Sequence, residues 1–196
     1  MENKKVLVKD ISLSNCRISC HSIALNSYKL SEKFRYQYLS ELHRLPSNSI
    51  QQIQFLDPIH VVFNKKKSNE KGQYKFFSGW FWLSLCRELK IKEVRVILHQ
   101  EEDGDFIEHA SWLYLLACEL KCMNRKVGLG QLSQAMEYAP KHIMKTFLGE
   151  CYSYSPTQII QNISTESSDV LKTQVKKLSP KISVKKSIFD ELLGEI

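Results

Sequence analysis

Glycine and proline are scarce in this sequence, seven and five in 196 residues, which excludes collagen-like and low-complexity classes. A run long enough to cross a bilayer is also missing. The longest apolar stretch, Trp112–Cys118, falls far below the roughly 20 residues that a spanning helix needs. The start, Met1-Glu-Asn-Lys-Lys5, is polar and lacks the apolar segment of a secretory signal, so a cytoplasmic address away from membranes is expected. The six cysteines (16, 20, 86, 118, 122 and 151) are too sparse for a disulfide-stapled scaffold and are expected to be reduced. Two pairs, Cys16/Cys20 and Cys118/Cys122, share a C-x3-C spacing, and His21 follows Cys20. Structural zinc sites more often use C-x2-C or C-x4-C knuckles, and i,i+4 cysteines within an apolar helix are usually small core residues. Catalytic signatures are lacking as well. The histidines at 21, 43, 60, 99, 109 and 142 form no H-E-x-x-H, and no G-x-x-x-x-G-K-[ST] is present. Gly128-Leu-Gly130 reads as a turn. The acidic run Glu101, Glu102, Asp103, Asp105 reads as a solvated boundary rather than a metal site. Neither metal nor cofactor is expected.

What is present is a globular composition, 43% hydrophobic and 25% charged, with a net charge of +7. The charge is uneven. Residues 1–99 hold 17 basic and 8 acidic groups (+9), residues 100–163 hold 5 and 8 (−3), and the remainder 6 and 5 (+1). A basic excess of this kind favours an acidic partner, most often nucleic acid.

The pattern along the first hundred residues is that of a compact α+β domain. Val6–Ile11 reads as a strand. Leu30, Phe34, Tyr38, Leu42 and Leu45 fall on one helix face, with Ser31 as a cap and Pro46 as a stop. Ile59–Phe63 and Gln73–Ser78 read as a hairpin around the polar loop 64–72. Gly79 marks a sharp strand-to-helix turn, because glycine alone enters such backbone geometry freely. A helix from Trp80 to about Lys90 and a strand Val94–Leu98 complete the domain. Helical patterns then occupy about 106–123, 130–138, 140–148 and 156–163. From Ser164 the chain becomes Ser/Thr/Lys-rich and reads as a flexible tail, ending in the amphipathic segment Ser187–Ile196. The expected organisation is an α+β domain over 1–100, an all-α region over 101–163 and a tail over 164–196.

Leu56-Asp-Pro-Ile-His-Val61, then Tyr74-Lys-Phe-Phe-Ser-Gly79, then Leu89-Lys-Ile-Lys-Glu-Val-Arg-Val96, resemble in order the N-terminal domain of ParB-type partition proteins, within the ParB/sulfiredoxin fold. Ile107-Glu-His-Ala110 with Leu115-Leu116 resembles that family's linker helix. Leu132, Ser133, Met136, Tyr138 and Ile143 resemble the apolar and small positions of a helix-turn-helix, with Pro140 in the first turn of the recognition helix. Glu137 stands where a turn glycine is usual. The similarity covers residues 5–150. The resemblance implies DNA binding in a plasmid or mobile-element setting. One departure limits it. The family carries Glu-Arg-Arg after the glycine to hold nucleotide phosphates, whereas Gly79 is followed by Trp80-Phe81-Trp82. Three large rings cannot neutralise a triphosphate, and sulfiredoxin chemistry would need a cysteine where Trp80 stands. A non-enzymatic protein is therefore expected first, with a nucleotide-hydrolysing or DNA-nicking relative of the ParB/sulfiredoxin fold as a further alternative.

The candidate DNA contacts are Lys121, Arg125, Lys126, Lys141, His142 and Lys145, which bracket the expected helix-turn-helix with Glu137 as the only acid from 121 to 145. Lys65, Lys66, Lys67 and Lys71 are candidate phosphate contacts in the hairpin loop. Two of the rings Trp80, Phe81 and Trp82 are expected in the core. The three, with Ile188, Phe189, Leu192 and Leu193, form the alternative: a patch and tail through which an adaptor would dock a protein partner. Duplex DNA is the partner expected first, and homodimerisation is compatible with the pattern.

Overall fold

The computed structural model describes residues 6–34, 58–63, 73–100, 103–121, 128–164 and 167–178. It divides the chain into two compact units, Met1–Cys118 with Ala139–Gly149, and Glu119–Tyr138 with Glu150–Ile196.

In the first unit, strands β1 (Val6–Ser12), β2 (Arg17–Cys20), β3 (Ile59–Phe63), β4 (Gln73–Ser78) and β5 (Glu93–His99) form one mixed sheet in the order β1-β5-β3-β4-β2. β1 and β5 are antiparallel, as are β3 and β4, the expected hairpin pair. β3 runs parallel to β5, and β2 parallel to β4. β2 was not foreseen: Arg17-Ile-Ser-Cys20 is short and has a single large apolar residue, Ile18, so its alternation is too weak to read. The mixed α+β class stands.

The first unit includes α1 (Leu25–Phe34), α2 (Trp80–Glu88) and α3 (Gly104–Lys121), the last up to Cys118. α1 begins five residues before the expected start. Ser31 is therefore inside the helix and donates to the Tyr28 carbonyl (2.7 Å) instead of capping it. The expected continuation to Leu45 lies outside the described residues. Ile107 of α3 packs with Ala24, Val62 and Phe77 in the core. That packing places α3 with the sheet and not beyond a boundary at residue 100, because a helix buries its apolar stripe on the nearest apolar layer.

Gly79 joins β4 to α2 with φ 74° and ψ 12°. A Cβ there would stand 2.5 Å from Ile59 Cα and 2.8 Å from the Pro58 carbonyl oxygen. The turn thus needs glycine twice, for its left-handed backbone and for its closeness to β3.

The second unit holds α4 (Gly128–Tyr138), α6 (Pro156–Ile163) and α7 (Ser168–Leu178), each touching the other two. α5 (Lys141–Leu148) belongs to the first unit, and a 3-10 turn follows it over Gly149–Ser153. Leu132, Met136, Ile160 and Leu171 are buried. Gly128 and Gly130 lie in the first turn of α4, not in a preceding loop. Gly130 is where α4 and α7 come closest: its N–H donates to Gln174 Oε1 (3.1 Å), and a Cβ on it would lie 2.8 Å from Leu178 Cδ1. α6 starts with a capping box, Ser155 Oγ accepting from the Gln158 N–H while Gln158 Oε1 accepts from the Ser155 N–H, with Pro156 next. α7 corrects the flexible tail expected from residue 164, at least over Ser168–Leu178.

Candidate nucleic-acid interface

α5 is short, and its sequence sorts cleanly by side. Ile143 and Met144 are buried, whereas Lys141, His142, Lys145 and Thr146 are exposed. Spacings of one, four and five residues put these four on one helical face. The face is therefore polar and basic, and the opposite side anchors the helix. Pro140 precedes the first turn, which contains no acid and whose start is not capped by a side chain. The amide donors there and the positive end of the helix dipole stay on the same side as Lys141.

His142 is tied down within this unit. Its Nε2 lies 3.2 Å from Glu108 Oε2 on α3, a contact that becomes an ion pair when the imidazole is protonated. Thr146 Oγ1 donates to the His142 carbonyl at 3.2 Å. The two lysines flanking this histidine on the face, Lys141 and Lys145, are both exposed.

The other expected contacts are distributed differently. Lys121 is exposed at the end of α3, in the stretch that belongs to the second unit. Arg125 and Lys126, the loop lysines Lys65, Lys66, Lys67 and Lys71, and the tail residues Ile188, Phe189, Leu192 and Leu193 lie outside the described residues. The boundary between the units passes between α4 and α5. α4 finds its packing partners in α6 and α7. Tyr138, expected as a packed position of a helix-turn-helix, is 63% exposed, whereas Leu132, Met136 and Ile143 are buried as expected.

The aromatic triplet after Gly79 is mostly core. Trp80 and Trp82 are buried and Phe81 is half-buried. Trp80 meets Tyr114 edge-on at 4.6 Å and Tyr28 at 5.9 Å, and Phe81 stacks edge-on against Trp82 at 5.2 Å. Packing thus takes up two of the three rings. Asp103, read from sequence as a solvated boundary acid, caps α3: its Oδ1 accepts from the Phe106 N–H at 3.2 Å.

Sequence reasoning missed two features. Lys172, Lys176 and Lys177 are exposed on α7, whose helical signal was Leu171, Val175 and Leu178 at spacings of four and three. Gln174 occupies a buried slot in that stripe and hid it. The second is a histidine pair, His60 and His99, in contact although 39 residues apart. No short-range motif marks it.

No protein-family model, curated protein or solved structure matches the chain. No helix among the described residues is long and apolar enough to cross a membrane.

Proposed function

We propose that the chain is a non-enzymatic DNA-binding protein of ParB-like type, a partition, regulatory or accessory factor of a plasmid or other mobile element. The observation that carries this reading is the exposed basic face of α5, Lys141, His142 and Lys145, on a helix anchored by Ile143 and Met144. Phosphate contacts from such lysines give most of the affinity and make it salt-dependent. An uncapped helix start adds backbone donors suited to a phosphate oxygen. Residues on the same face would meet base edges if α5 enters the major groove. The burial of Trp80 and Trp82 favours this reading over a protein adaptor that docks through the aromatic triplet.

A gel-shift series on duplex DNA over increasing salt tests the proposal. Binding at low salt that weakens log-linearly with salt is expected, with a slope of about 0.9 per phosphate contact. Absence of a shifted band at the lowest salt would remove the DNA reading.

A further inference from the structure

His60, the second residue of β3, and His99, the last of β5, meet across the parallel ladder in which His60 pairs with Ile97 and Val62 with His99. Nδ1 of His60 and Nε2 of His99 are 2.9 Å apart, and the ring centroids are 5.2 Å apart. The difference is two ring radii, so the rings meet head-on along an N–H···N hydrogen bond. A metal ion does not fit between nitrogens placed this way, since each bond to imidazole nitrogen takes about 2.0–2.1 Å. One ring donates and the other accepts. Phe77 stands edge-on to His99 at 5.1 Å, and Phe106, in the first turn of α3, lies on His99 at 5.4 Å and on Phe77 at 5.8 Å. The start of α3 thus rests on the histidine pair through the Phe106 ring.

We propose that the His60–His99 bond is an acid-sensitive latch that holds the first turn of α3 on the sheet. Both rings are half-buried, and a neutral pair satisfies its facing nitrogens without bringing charge into an aromatic pocket. One added proton can be shared along the bond. A second leaves two N–H donors facing each other, and the bond is lost. Burial holds both histidines below their ordinary value of 6.5, and the charge of His99 adds to the effect on His60, pushed down to about 4. Charged groups on the elements around the pair include Arg95 on β5, Lys75 on β4, and Asp103 and Asp105 at the start of α3. Arg95 is engaged with Asp10 (2.9 and 3.1 Å), and Asp103 caps α3. With folded values below the unfolded one, the latch is intact above pH 6.5 and is lost as pH falls towards about 4. In that window the opened state binds more protons, so opening rises by up to about tenfold per pH unit for each proton taken up.

The test follows the imidazole resonances of the full chain by NMR from pH 8 to 4. It is paired with hydrogen exchange at the Ile107 amide in α3 and at Val96 in β5, both corrected for intrinsic rate. His60 and His99 should titrate below 6.5, and Ile107 protection should fall through the same range while Val96 protection holds. His99→Gln, which can still donate or accept but cannot take up a proton there, should flatten the pH response of Ile107. Titration of His60 at its ordinary value, equal losses at Ile107 and Val96, or an unchanged response in His99→Gln would each overturn the latch. If His99→Gln does not fold, the wild-type titration and the Ile107/Val96 comparison decide alone.

Discussion

At the scale of single residues, Gly79 carries the tightest constraint among the described glycines. A side chain there would adopt a left-handed backbone, at about 1–3 kcal/mol, and would overlap the β3 main chain at Ile59 and Pro58. Gly79→Val is therefore expected to destabilise the first unit by at least ~3 kcal/mol and to lower its Tm by ~10 °C, read from a thermal melt by circular dichroism. A Tm within about two degrees of wild type, roughly the error of such a scan, would contradict the turn geometry. This residue was legible in sequence, because a lone glycine between a β-run and a helical pattern has few other uses. The burial of two of the three following rings was expected too, and Trp80 and Trp82 are buried on α2 together with Leu83, Leu85 and Cys86. The histidine pair was not legible. Its partners are brought together by strand register, which composition and local spacing do not encode.

At the scale of elements, β3 and β4 have the bounds read from their β-branched and aromatic runs, and α6 has those read from its helical pattern. β2 and α7 escaped because their apolar stripes are thin, one residue in β2 and a stripe interrupted by Gln174 in α7. The dependence of α7 on its neighbour can be measured. Gly130→Leu would place a side chain where Leu178 and the Gln174 backbone already stand, at about 1–3 kcal/mol for overpacking. Faster tryptic cleavage after Lys172, Lys176 and Lys177, with the first unit's melt unchanged, is the expected outcome. Equal cleavage rates would show that α7 does not depend on this crossing. For α5, replacing both Lys141 and Lys145 by Glu should leave the Tm nearly unchanged, since exposed substitutions usually stay within about 0.5 kcal/mol. DNA affinity should fall sharply, and the slope of log affinity against log salt should drop by about 0.9 per lost phosphate contact. A folded double variant that still binds as wild type does would move the interface away from α5.

At the scale of the whole molecule, the α+β character was readable, but the grouping of elements was not. The expected boundaries at residues 100 and 163 followed changes in composition. The observed units follow packing, with α3 drawn to the sheet by Ile107 and α4 drawn to α7 at Gly130. The sheet order also carries a consequence in time. β1 pairs with β5, and Asp10 meets Arg95 across 85 residues of chain. At ribosomal rates of about 5–20 residues per second, β1 therefore waits roughly 4–17 s after its own synthesis for its partner to be made. Throughout that delay Val6, Leu7 and Val8 are an apolar β-prone segment without a mate, and even in the finished sheet they stay at an edge, 49%, 49% and 68% exposed. Nascent chains on one polysome should thus be most prone to cross-association before residue 99 emerges. Val8→Lys, which puts a charge on that edge, should raise the fraction of newly made protein recovered from the supernatant while shifting the Tm by no more than ~2 °C. An unchanged recovery would mean that the orphaned strand is shielded during synthesis by something other than its eventual partner.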